Sequence, residues 1–538
     1  MAHKHLPLYL TCFGLFLLLG SLLIVWRMDR PLADPQTVKF TASTGDLLVG
    51  RYFPGGQEHG VLLLEGFGSD QVTMTSLASQ FAQAEWHVFT FDFSGHGRSP
   101  GALTFDNAQT DRLAFQALAA LEEFAALSGL RSDQIFVVGH SLGARVALQS
   151  AILNPERVAG IVLLGSQVNL SMNVQSEFFT GTTDTGLAWV QALGPETPDV
   201  PILMLSGRWD DILTPESARL LYERLGAENA SAPRKLVLLP ALVHNYEPFS
   251  RRIMDEMMAW LPDVKTTASA SWRILTWIFG LAGLLLALVG GKGWAETIWG
   301  SEPIEQRIAL SSQTGFLWGK LLLWLGALPM AAMLGSLFFF TPVPVAKPVF
   351  NLIYVGFIGG YGLVSLFLYW RGKMPGAKGR LPFTAGQTLT SWKRFLAAVG
   401  IAAAMLVLTA AYARTGWFIA PPTGVRLVWL VIFVPFTALG FWIGQAESRM
   451  FQAAGARFGS RLALTLIGLF PFFLYTILMA ALGSISGMIG GLQGLVILWL
   501  VLVFGDLVQA VGRNPWLTAV CMAVQLYWLI LSQGVLFG

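Results

Sequence analysis

Gln134-Ile-Phe-Val-Val-Gly-His-Ser-Leu-Gly-Ala-Arg-Val-Ala-Leu148 decides the fold. Ile135 to Val138 is a short β-branched and aromatic run, the pattern of a strand buried on both faces. Ala144, Val146, Ala147 and Leu148 read as the start of a helix. Between them the chain must turn sharply within Gly139-His-Ser-Leu-Gly143, and the small residues around Ser141 allow it. A Gly-x-Ser-x-Gly turn from strand to helix holds a serine Oγ on an exposed, strained bend. The helix that follows offers free N–H groups and the positive end of its dipole, which favour developing negative charge. Five letters recur by chance; the strand–turn–helix context makes Ser141 a nucleophile rather than a structural turn serine.

The composition around this stretch is divided. Of 538 residues, 54% are hydrophobic and only 12% charged, with a mean hydropathy of +0.58. An ordinary soluble domain carries about 25% charged residues. The net charge of +3 carries no signal for nucleic acid and no basic stripe appears, so no nucleic-acid partner is expected. Cys12 and Cys521 both lie in apolar runs, so the soluble segment has no disulfide. Three regions follow: an N-terminal anchor (1–30), an α/β domain (37–263) and a membrane region of about eight helices (272–538). In the first, the apolar run Leu8 to Trp26 has the roughly 20 residues a bilayer crossing takes. No small-x-small cleavage site follows it, so an uncleaved anchor is expected rather than a signal peptide.

Within 37–263, Val38–Phe40 and Leu47–Phe53 predict an antiparallel hairpin. Gly60–Glu65, Trp86–Asp92, the run before Ser141, Gly160–Gly165, Pro201–Ser206 and Lys235–Leu239 predict further strands. Helical segments near Gln71–Ala84 and Asn107–Leu127 alternate with them, which argues for a mostly parallel sheet wrapped by helices on both faces.

Taken in order, Glu65-Gly-Phe-Gly68, Asp92-Phe-Ser-Gly-His-Gly-Arg-Ser99, Gly139-His-Ser-Leu-Gly143, Gly207-Arg-Trp-Asp210 and a late His244 resemble the α/β-hydrolase superfamily. The nearest branch is that of monoacylglycerol lipases and the so-called serine aminopeptidases. The resemblance covers less than half the chain. In this fold the acid follows the serine and the histidine comes last. The Gly-x-x-Asp spacing selects Asp210 as the acid. Asp211 is its rival, because the stretch to Pro215 runs one residue longer than usual; either aspartate also suits a helix cap. His244 follows the last strand, where the general base sits, while His59, His87, His96 and His140 suit structural roles. The resemblance implies acyl transfer by Ser141, His244 and Asp210, with the backbone N–H groups of Phe67 and Leu142 as oxyanion donors. It calls for no cofactor and no metal. Many relatives have His-Gly where this chain has Glu65-Gly66, which sets a carboxylate near the site; it either alters pH dependence or substrate choice, or bonds a neighbouring loop. Between Ser166 and Pro201 lies a short lid position with Phe178, Phe179, Leu187, Trp189 and Val190, equally an acyl-pocket lining or ordinary packing.

From Trp272 onward, apolar runs near 273–290, 315–340, 349–370, 395–413, 426–444, 462–483, 487–508 and 515–536 are each long enough for a membrane helix. Arg371, Lys373, Lys378, Arg380, Lys393 and Arg394 crowd one loop without an acidic residue, and Arg449, Arg457 and Arg461 fall on the same side. That side is cytoplasmic by the positive-inside rule, which places the α/β domain outside the cytoplasm. Lys320 and Asp506 fall near span ends, where snorkelling to the interface is the expected behaviour. Gln493 and Gln525 are the other polar positions, and no span is expected to hold a clustered ion relay. Gly356-x-x-x-Gly360 and Gly490-x-x-x-Gly494 predict close helix contacts. The expected function is a multi-pass serine hydrolase cleaving an acyl ester, lipid-like by preference, with the bilayer as its setting. A peptidase or thioesterase with the same triad is the alternative, and a transporter or scaffold with a binding-only hydrolase domain is the reading from another class.

Overall fold

Alternate side chains of a strand face opposite sides of its sheet, and the strands predicted above use both. In the computed structural model, which describes residues 2–104, 109–166, 191–262, 272–300, 309–341, 345–379 and 391–538, eight strands form one sheet. They are β1 (Gln36–Thr41), β2 (Leu47–Phe53), β3 (Gly60–Leu64), β4 (His87–Asp92), β5 (Ile135–His140), β6 (Gly160–Leu164), β7 (Ile202–Gly207) and β8 (Arg234–Leu239). The order is β1-β2-β4-β3-β5-β6-β7-β8. β2 pairs antiparallel with both neighbours, and every pair from β4 onward is parallel.

Ile135 and Val137 of β5 enter a core with helices α3 (Gln109–Ser128) and α4 (Leu142–Leu153), while Phe136 and Val138 enter a second core on the opposite face. There they meet α2 (Thr75–Gln83) and α6 (Arg251–Trp260), with α5 (Pro215–Arg224) joining the first face through Leu221. The sheet is therefore covered on both sides, as a mostly parallel sheet must be. The lid residues Phe178, Phe179, Leu187, Trp189 and Val190 lie outside the described residues.

The remaining helices form a bundle. They are α1 (Ala2–Met28), α7 (Arg273–Trp299), α8 (Gln313–Phe340), α9 (Val349–Trp370, with a π-helical turn at Val355–Gly359) and α10 (Trp392–Ala413). Then come α11 (Val425–Ala453), α12 (Phe458–Gly468), α13 (Phe470–Ala481), α14 (Ile485–Gly512) and α15 (Pro515–Gln533). Among the described residues, eight helices are long and apolar enough to cross a membrane, and α12 and α13 together, bent by 71°, make up to nine. α1 packs along α7 where glycine lets the backbones approach: a Cβ on Gly14 would lie 2.4 Å from Ala287 N. Gly356 and Gly360 meet Ala331 of α8 in the same way, whereas a Cβ on Gly490 would meet nothing within 4 Å.

Lys320 corrects the reading from sequence. It does not snorkel: its side chain is 4% exposed and paired with Glu447 of α11, whose carboxylate also accepts from the Tyr361 hydroxyl at 2.9 Å. The ammonium lies 4.8 Å from the centre of the Tyr361 ring. A charged cluster thus sits inside the bundle, where none was expected from sequence. Asp506 instead is half exposed and pairs with Lys292 at 2.9 Å.

The two parts of the molecule are joined at one face. Arg426 of α11 donates to Gly97 O (2.9 Å), Gly95 O (2.8 Å) and Gly534 O, so the glycine-rich loop after β4 is anchored on the bundle. Ile419 N donates to Asp70 at 2.6 Å. Leu536 pairs with Gly95 and Leu103, Phe537 pairs with Lys347, and Phe537 enters the first hydrolase core.

Candidate active site

The elbow at Ser141 is built by close approach. A Cβ on Gly139 would lie 2.1 Å from Gly143 O, and one on Gly143 would lie 2.4 Å from Leu64 O, so only glycine fits at either end of the turn. Ser141 itself has φ +56° and ψ −112°, a conformation that costs a non-glycine residue energy and is tolerated where structure over-determines it. Its N–H bonds Leu164 O at 2.9 Å, which ties the bend to β6. The side chain is half-buried at the N-terminus of α4.

His244 and Asp210 come together from separate loops. His244 Nδ1 lies 2.7 Å from Asp210 Oδ2, and both side chains are buried. The other carboxylate oxygen accepts from Ile212 N (3.0 Å) and Leu213 N (2.8 Å), which fixes the acid's orientation. Gly165, beside Ser141's backbone partner, leaves room for the imidazole: a Cβ there would lie 2.9 Å from His244 Nδ1. Asp211 points elsewhere. It accepts from Ser484 Oγ (2.8 Å), Ser486 N (3.0 Å) and Ser486 Oγ (2.5 Å), at the N-terminus of α14.

The loop after β3 passes against the elbow, since a Cβ on Gly66 would lie 3.3 Å from the Ser141 Cβ. The Phe67 N–H in that loop donates to no carbonyl among the described residues. Leu142 is the first residue of α4, where N–H groups lack an intrahelical acceptor. Phe67 N and Leu142 N, the two N–H groups named from sequence, thus lie on the two loops that meet at the elbow.

Glu65 reaches the loop after β4. It is fully buried and accepts from Phe93 N at 3.0 Å, so it bonds the neighbouring loop. Burial, reinforced by the charges of Asp92 and Asp70, raises its carboxyl well above the ordinary range. Asp70 is pushed up to about 7, by burial first and then by Asp92.

Two groups were missed from sequence. Glu247, three residues past His244, is fully buried; its Oε1 accepts from Gly207 N at 2.8 Å and its Oε2 lies 3.9 Å from His244 Nδ1. Burial and the Asp210 charge raise its carboxyl well above the ordinary range. His140 Nε2 lies 3.1 Å from His244 O, and burial, then the neighbouring His244, lowers its ring well below the usual value. His140 thus ties the elbow to the histidine loop. His140, His244 and Glu247 bring ligand atoms within 4.8 Å of one another, but the first two are committed to hydrogen bonds with His244 O and Asp210. Only the i, i+3 spacing of His244 and Glu247 signalled this in the sequence.

Two cavities adjoin these residues. One, of about 10 Å³ between Ser141, Leu148, Leu213 and Leu221, has room for one water. The other, of about 1120 Å³, lies where Phe67, Gly68 and Tyr246 meet the bundle.

A family model described as "Serine aminopeptidase, S33" matches residues 57–195. A Mycobacterium tuberculosis protein named Lipase LipV is 30% identical over 224 residues, which is 42% of this chain and 77% of the relative. A second M. tuberculosis relative, described as an uncharacterized protein, is 27% identical over 259 residues, 42% of this chain and 84% of its own. The solved esterase of Pyrococcus furiosus superposes with a TM-score of 0.34 at 19% identity, over 43% of this chain and 90% of that one. Through the segment that carries the sheet and the elbow, the chain belongs to the esterase- and lipase-like α/β-hydrolase family.

Proposed function

We propose that the protein is a membrane-embedded serine hydrolase that cleaves an acyl ester through Ser141, His244 and Asp210. The observation that carries this is the 2.7 Å contact between His244 and Asp210, reached from loops after two different strands, with His140, the residue before the strained Ser141, bonded to His244 O. In the first step the Ser141 Oγ attacks the ester carbonyl and its proton passes to His244 Nε2. Asp210, bonded to Nδ1, fixes the tautomer and stabilises the imidazolium. The tetrahedral oxyanion takes hydrogen bonds from Phe67 N and Leu142 N. Breaking the C–O bond then releases the alcohol, which leaves with the proton from His244. A water repeats the sequence on the acyl-serine and frees the acid.

Placement in a bilayer is supported by the bundle itself. Asp211 reaches the N-terminus of α14, so that end lies at the hydrolase face, and the bent pair α12–α13 carries the chain there from the far end of α11. Counted as one crossing, the bent pair brings the spans to nine. The basic loop after α9 lies at the far end, about 33 Å along that helix from Val349. By the positive-inside rule the hydrolase domain is extracytoplasmic. The relative named as a lipase supports an ester substrate. The family description as an aminopeptidase favours a second reading, amide hydrolysis by the same triad. The test is a burst assay on the reconstituted full chain with p-nitrophenyl acetate. A stoichiometric burst with acetyl on the Ser141 peptide is expected; turnover with no acyl-serine would end the proposal. A matched peptide amide, run alongside, decides between the two readings.

A further inference from the structure

The cavity at the junction is larger than an ester carbonyl needs. Its 1120 Å³ exceeds the roughly 300–1,000 Å³ of pockets that enclose whole small ligands. Its mouth is made by the hydrolase domain, through Phe67, Gly68 and Tyr246, and its depth by the bundle, through Trp324 of α8, Phe470 of α13 and Ile497 of α14. Phe67 carries one candidate oxyanion donor, and Tyr246 stands two residues past His244. The mouth thus borders the loops that carry the Phe67 N–H and His244, while Ser141, His244 and Asp210 lie outside its lining.

The depth matches a lipid chain. Trp324 lies about 24 Å along α8 from Phe340, its end near the hydrolase, at 1.5 Å per residue. Half of a hydrocarbon core about 30 Å thick, the share of one leaflet's acyl chains, is shorter than that. The walls are apolar and poorly covered by protein: Leu325 is 57% exposed, Leu328 43%, Ile353 46% and Leu478 49%. Such surface is stabilised by an apolar occupant rather than by water, which needs polar partners to stay. Asn351 and Gln533, next to the hydrolase, place polar groups at the end where an ester headgroup would sit.

We infer that the bundle is the acyl-binding half of the active site: this cavity takes the long acyl chain of a membrane lipid ester and presents its carbonyl to Ser141. The inference rests on the serine hydrolase reading above and adds the class of substrate and the residues that select it.

Gly490 lines the cavity, and a Cβ there meets nothing within 4 Å, so Gly490→Trp fills the space without displacing backbone. Leu328→Trp fills it from another helix. Each is reconstituted as the full chain and assayed with p-nitrophenyl palmitate and p-nitrophenyl acetate, with labelling of Ser141 by a small fluorophosphonate reporting an intact fold. At least about a 10-fold loss of kcat/KM on palmitate, with acetate within about 2-fold, is expected, since apolar pocket contacts discriminate by about 10- to 200-fold. Unchanged palmitate cleavage in both labelled variants overturns the inference, as does an equal loss on both esters. A wild-type protein that labels and cleaves acetate but not palmitate overturns it too, while leaving the hydrolase reading in place. Failure of the wild type to label at all removes that reading instead.

Discussion

Asp210 and Asp211 are adjacent in the chain yet serve different bodies: Asp210 bonds His244 Nδ1 at 2.7 Å, while Asp211 caps α14 through Ser484 and Ser486. One loop after β7 therefore orients the candidate base and fastens the hydrolase domain to the bundle.

The pair separates by substitution. Asp210→Asn should lower kcat about 10⁴-fold, because the amide stabilises the wrong imidazole tautomer. Asp211→Ala should leave kcat on a short ester nearly unchanged and destabilise the fold by about 1–3 kcal/mol, the worth of hydrogen bonds to a charged group. Steady-state kinetics and thermal unfolding of both variants check this. A large kcat loss in Asp211→Ala with an active Asp210→Asn would reverse the assignment.

Glu65 makes a prediction about pH. Its folded carboxyl is raised above the ordinary 4.5, so the folded state keeps a proton that the unfolded chain gives up. The stabilisation is complete below that value and is lost as pH rises through the folded value. Glu65→Gln holds this position neutral at every pH. Its Tm should accordingly fall less than that of the wild type as pH rises above about 5. Parallel Tm curves would show that the carboxyl titrates normally.

The Lys320–Glu447 pair predicts a non-additive response. Lys320→Met alone leaves a carboxylate buried against Tyr361 and should cost about 3–5 kcal/mol. The double variant Lys320→Met/Glu447→Leu should recover most of that loss, because an apolar pair of similar volume removes both desolvation penalties. Chemical unfolding in detergent measures the cycle; additive losses would mean the pair is not coupled.

These cases also show what a sequence discloses. The eight strands, the elbow and the separate loops bearing Asp210 and His244 were legible because each rests on local signals: periodicity, turn residues and order along the chain. Glu247 was not, since a glutamate on a polar loop looks solvated until its burial against Gly207 is seen. Lys320 was misread because its partner lies 127 positions away, past the end assigned to the apolar run of α11. The cavity had no linear signature at all, being assembled from loops of the hydrolase domain and five or more helices. What depended on spacing was readable, and what depended on long-range packing was not.

The account turns on Ser141, and covalent labelling of the reconstituted full chain by a fluorophosphonate tests it most directly. The wild type should be labelled on the peptide containing Ser141 and lose ester hydrolysis in step with labelling. Ser141→Ala should show no labelling, with hydrolysis lower by about 10⁴- to 10⁶-fold and an unchanged fold. Labelling or turnover retained in Ser141→Ala would contradict the account.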